Sequence, residues 1–118
     1  MQKLSVVHTK VWDASSSAVT ATANSPSTFN GGGYGSMIAY LNVTTATGTT
    51  PSMTVKFQDS PDGGTTWYDV TSGAFSAATA AGSQRLVVPN IGSKLRAVAT
   101  VSGTTPSFNF TLDVVGTN

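Results

Sequence analysis

From Met53 to Phe57 apolar and polar residues alternate, and they do so again from Phe108 to Leu112. Successive side chains of a strand face opposite ways, so Met53, Val55 and Phe57 share one face, and Phe108, Phe110 and Leu112 share another. That period predicts strands with one side on a core and the other toward water. Each run follows the same pentapeptide, Gly-Thr-Thr-Pro-Ser, at 48–52 and again at 103–107, an offset of 55 residues. With glycine and proline in both copies, each reads as a hairpin turn between two strands. Two related hairpins predict two sheets packed face to face, with all six apolar residues in one core.

The remaining pattern fills in the sheets. Residues 3–12 read as a first strand, 14–17 as a turn and 18–23 as a short strand. Residues 24–35 carry Pro26 and the run Asn30-Gly31-Gly32-Gly33-Tyr34-Gly35 and read as a loop. Strands follow at 36–45, 53–59 and 66–71, then a small-residue stretch at 72–83. Strands at 84–89 and 94–101 flank a turn at 90–93, and 108–115 closes the set. About eight antiparallel strands at spacings of about ten residues predict an all-β fold, a β-sandwich or jelly roll. The 118 residues fit one domain, 1–118, with 1–5 expected as a flexible N-terminal arm.

Composition narrows the chemistry. There is no cysteine, which removes disulfides and thiolate metal sites, and a single histidine, His8, which removes a zinc site of several imidazoles. Only 9% of residues are charged, the net charge is +1, and the basic side chains are scattered, so nucleic acid is not an expected partner. No apolar run approaches a membrane span, and no basic-then-apolar leader is seen. A chain opening at Met1 is expected to be complete. The neutral, threonine-rich surface suits broad contact with another protein, since interface cores are poor in charge.

The motifs that resemble chemistry have structural readings. Ser60, Asp62, Gly64, Thr66 and Trp67 fit Ser-x-Asp-x-Gly-x-Thr-Trp, which resembles the Asp-box of sialidases and other β-propellers. There the box is a folding device, so these five residues are expected to form a structural turn, with Asp62 accepting backbone N–H bonds and Trp67 covering the loop. Asp59, Asp62 and Asp69 could gather calcium, but their spacing matches no calcium loop. The triple glycine has neither the following helix nor the lysine of a phosphate loop. His8 has no nucleophile elbow to serve. No catalytic residue, cofactor or metal is expected, and the chain is not expected to be an enzyme. Trp12, Tyr34, Tyr40, Trp67 and Tyr68 could together offer sugar rings a stacking surface, as in sandwich-fold carbohydrate modules.

Two longer segments carry a family resemblance. Gln58-Asp59-Ser60-Pro61-Asp62-Gly63-Gly64-Thr65-Thr66-Trp67, with Leu95-Arg96-Ala97-Val98-Ala99-Thr100-Val101-Ser102-Gly103-Thr104-Thr105-Pro106-Ser107, is similar to small virion proteins of tailed bacteriophages. The resemblance covers roughly residues 36–115. It implies a capsid decoration (cement) protein, a β-sandwich on the outer surface of the head, made in the host cytoplasm and commonly trimeric, with the major capsid protein as partner. The alternatives are a tail or baseplate component and a carbohydrate-binding module. Contacts are expected from the N-terminal residues Met1, Gln2 and Lys3 and from the loop residues Asn30, Gly31, Gly32, Gly33 and Tyr34, with the 72–83 stretch as a second contact loop.

Overall fold

A computed structural model describes residues 7–31 and 34–117. The chain forms β1 (Val7–Asp13), β2 (Ala23–Asn24), β3 (Phe29–Asn30), β4 (Ser36–Ser60), β5 (Tyr68–Ala74), β6 (Gly82–Pro89) and β7 (Lys94–Thr117). All pairings are antiparallel, and there is no helix among the described residues. The strands expected at 36–45 and 53–59 are one strand, β4, and those at 94–101 and 108–115 are another, β7. Of the strand expected at 18–23, only Val19, bridged to Phe108, and Ala23 pair.

β4 and β7 pair along their whole length, from Ser36↔Thr117 to Ser60↔Lys94. The two Gly-Thr-Thr-Pro-Ser segments are therefore not hairpin turns. They lie mid-strand and face each other across the ladder, with Thr47 opposite Ser107, Thr49 opposite Thr104 and Ser52 opposite Ser102. Pro51 and Pro106 fall among the residues this pairing skips, where the missing N–H of proline costs no ladder bond. The backbone there is nearly the same in both copies: φ is +114° at Gly48 and +116° at Gly103, +48° at Thr50 and +46° at Thr105. Each threonine hydroxyl donates to the carbonyl one residue back, Thr50 to Thr49 at 2.7 Å and Thr105 to Thr104 at 2.8 Å. The two copies thus meet about a local two-fold axis.

These kinks let long strands build a short molecule. A straight strand of 25 residues would span about 80 Å, whereas the longest dimension of the protein is 51 Å. The ladder has two limbs. One joins the first half of β4 to the last half of β7 and is flanked by β6 and β1; the other joins their remaining halves and is flanked by β5 and by β2 and β3. Edge segments complete both limbs. Residues 7–31 follow β7 from Val7↔Gly116 through Ala14 N–H to the Phe110 carbonyl, Ser25 N–H to the Ala97 carbonyl and Phe29↔Leu95. Residues 68–89 follow β4 in the same way, through Tyr68↔Asp59, Phe75 N–H to the Val55 carbonyl, Ala78↔Met53 and Val88↔Met37. The segment before β4 pairs with β7 and the segment before β7 pairs with β4. The two halves of the chain have exchanged partners.

Alternation then sets the core. In β4 the odd positions from Met37 to Val43 and from Met53 to Phe57 are buried. In β7 burial passes from Leu95, Ala97 and Ala99 to Phe108, Phe110, Leu112 and Val114, changing parity across the second kink. The register of β4 slips between Val43 and Thr45, and this extra residue is how its own parity survives. With no helix among the described residues to cover them, the apolar faces of the limbs close on one shared core as a sandwich. Met53, Val55, Phe57, Phe108, Phe110 and Leu112 share one core, as the alternation predicted. Trp12 meets Phe110 edge-on at 5.1 Å, and Phe57 lies between Phe29 and Phe75 at 6.2 and 6.1 Å.

Candidate functional site

The Ser60–Trp67 segment is the turn joining β4 to β5, and the side chains of Ser60, Asp62 and Trp67 bond within it. The Ser60 hydroxyl is buried, donates to Asp62 Oδ1 at 2.7 Å and accepts the Gly64 N–H at 2.8 Å. Asp62 Oδ1 also accepts the N–H groups of Thr65 and Thr66 at 3.2 and 2.8 Å. Gly63 and Gly64 supply positive φ at the bend, and the Trp67 indole N–H closes the loop onto the Gly64 carbonyl at 3.1 Å. These donors, the Thr66 N–H foremost and then the Ser60 hydroxyl, hold the Asp62 carboxyl down at about 2. A carboxylate so engaged is a poor proton donor at neutral pH.

The turn is tied to the neighbouring strand by a row of side chains. The Arg96 guanidinium lies 4.4 Å from the centre of the Trp67 ring, and its Nε–H donates to Gln58 Oε1 at 2.9 Å. Gln58 in turn donates to Asp69 Oδ1 at 2.9 Å, and Lys56 pairs with Asp69 at 3.1 Å. The Gln58 and Lys56 side chains both hold the Asp69 carboxyl below its usual value, Gln58 the more strongly. The third aspartate of the region, Asp59, accepts the Gly92 N–H at 3.1 Å. Asp59, Asp62 and Asp69 thus serve three separate partners, and no group of three acidic or histidine side chains is gathered among the described residues.

The contact residues expected from the sequence divide. Met1, Gln2, Lys3, Gly32 and Gly33, with the rest of the 1–5 arm, lie outside the described residues. Asn30 and Gly31 are not part of a free loop: Asn30 pairs with Lys94, and Gly31 is buried with its N–H on the Ser93 carbonyl at 2.7 Å. Tyr34 is half-buried, its ring so close to Gly116 that a Cβ there would lie 2.7 Å from it. The 72–83 stretch is likewise anchored, through Phe75 and Ala78 in the core and Gly82 opposite Val43. Both stretches are laid along the long strands by main-chain hydrogen bonds, which need no side-chain pattern.

The aromatic residues do not form one surface. Trp12 is core, Trp67 lies under Arg96, and Tyr34 packs on Gly116; Tyr40 and Tyr68 are exposed, on different limbs. Around Tyr40 the outer face brings together residues far apart in sequence. Lys10, Asp113, Tyr40 and Arg85 form one row across β1, β7, β4 and β6, with Val115, Ile38 and Val87 in the row beside it. Of these, sequence reasoning singled out Tyr40 alone. The missing signal was strand register, which the alternation of any one strand does not contain. Comparison with protein families, curated proteins and solved structures finds no match to this chain.

Proposed function

We propose that this protein is a capsid decoration protein of a tailed bacteriophage, a non-enzymatic β-sandwich that binds the outer surface of the head through the major capsid protein and stabilises the shell. The observation that supports this reading is the pair of segments resembling phage virion proteins, 58–67 and 95–107. In the fold they are neighbours: Gln58 pairs with Arg96, and Arg96 covers Trp67. The sequence pattern thus corresponds to one built unit of the domain. The low charge agrees with a role in protein contact. In this reading three copies sit at a local three-fold position, a closed ring presenting one identical patch per subunit.

The test is to add purified protein to expanded heads lacking it, then measure bound copies per particle and the temperature at which the heads open. Stoichiometric binding with a higher opening temperature is expected, because a ligand of the assembled state stabilises that state. No binding to heads, with copies found on tails, makes it a tail or baseplate component instead.

A further inference from the structure

We infer that the outer face of the first limb carries a binding site for a neutral oligosaccharide, centred on Tyr40. This inference is independent of the decoration reading. A shallow groove of about 310 Å³ runs over β6, β4 and β7, lined by Tyr40, Asn42, Ser83, Arg85, Thr111 and Asp113. Its volume lies at the lower end of the range for small-ligand sites, which begins at about 300 Å³.

Each group in the groove suits a sugar. Tyr40 is 40% exposed, a large ring left on a strand face that is otherwise polar along its row, and sugar C–H faces pack on such rings. The ion pairs among the described residues engage Asp113 and Asp69, and Arg85 takes part in none of them. Asn42 accepts the Ser83 hydroxyl at 2.9 Å through its carbonyl oxygen, leaving its amide N–H groups to donate outward. Asp113 supplies the acceptor. Its Oδ1 is buried and receives no hydrogen bond, with His8 Nε2 at 3.4 Å and Lys10 Nζ at 3.6 Å as its nearest charge partners. With Oδ1 buried, the exposure that the side chain keeps, 25%, leaves the other carboxylate oxygen to accept a ligand hydroxyl.

The geometry also sets the class of ligand. The row from Lys10 to Arg85 crosses four strands, about 14 Å at the ordinary strand spacing, which suits a short chain of sugars better than one ring. The charged residues lining the groove are Arg85 and Asp113, of opposite sign, so the lining itself carries no net charge and gives no preference for an acidic glycan. Donors at one end, a carboxylate at the other and a ring between them match the alternating hydroxyl and C–H surfaces of a neutral saccharide.

The experiment is a ¹H–¹⁵N titration of the full chain with maltohexaose, cellohexaose, xylohexaose and chitohexaose, each to about 5 mM, a range that detects weak sites. At least one is expected to give saturable shifts at the amides of residues 39–43, 83–86 and 111–113. Tyr40→Ala should weaken that binding about tenfold or more, and Asp113→Asn should weaken it further while the spectrum elsewhere stays unchanged. Tyr40→Phe, which keeps the ring, should bind nearly as the parent does. No shifts with any of the four sugars overturns the inference, as does binding that survives Tyr40→Ala. Shifts on this face caused by phage heads and by none of the sugars would assign it to protein contact instead.

Discussion

Asp62 keeps its negative charge because the turn aims backbone N–H groups at it, and this makes stability depend on acid. Its folded value of about 2 lies below that of an unfolded aspartate, roughly 3.9, so the unfolded chain binds protons first. Asp13, held down by the Ser15 hydroxyl and N–H, and Asp69 shift the same way. Their contribution is present above the unfolded value and is lost as pH falls through the folded one. A melting temperature that is level from neutral to about pH 5 and declines between about pH 4 and 2 is therefore expected. Asp62→Asn should melt lower at neutral pH and show a shallower acid decline; an unchanged profile in that variant would show that the turn bonds do not need the charge. Phe110, fully buried against Trp12, belongs to the same scale. Phe110→Ala should cost about 3–5 kcal/mol in denaturant unfolding. Such residues were legible in the sequence because strand alternation is a local signal and a core position needs no knowledge of its partner.

At the scale of elements, local signals mislead where glycine and proline look like punctuation. In Gly48–Ser52 and Gly103–Ser107 those residues bend a continuing strand, and only the opposing copy shows why. A Cβ on Gly48 would lie 2.7 Å from the Thr105 carbonyl oxygen, and one on Gly103 would lie 2.8 Å from that of Thr50. Backbone from each copy occupies the space that a side chain on the other would need. Gly48→Ala and Gly103→Ala should therefore each destabilise by about 1–3 kcal/mol, and by similar amounts because the sites are related by the local axis. Gly82, in a strand with nothing within 4 Å of an added Cβ, provides the control. Gly82→Ala should change stability by less than about 0.5 kcal/mol. Thermal melts of the three variants decide the matter, and unequal losses at Gly48 and Gly103 would count against the symmetry. The edge segments 24–31 and 72–82 were illegible for another reason: small polar residues look like free loop when main-chain bonds and a few scattered apolar anchors, Phe29, Phe75 and Ala78, hold them in place.

As a whole molecule, the protein is two similar halves that have traded edges. The traded pairing also has a consequence in time. Among the described residues β1, β2 and β3 pair only with β7, so the first strands of the domain wait for the last. Val7 finds its neighbour at Gly116, almost the full chain away. Closing loops of that length places the chain among proteins of high contact order, with folding expected in milliseconds to seconds rather than microseconds. Trp12 provides the clock, because its packing on Phe110 forms only when β7 docks. In stopped-flow refolding of a Trp67→Phe variant, which leaves Trp12 as the one tryptophan, its fluorescence should change in the same single phase as strand formation followed by circular dichroism. During synthesis the early strands must remain in solution with their edges open, and the scarcity of long apolar runs before Ser36 is what that interval requires.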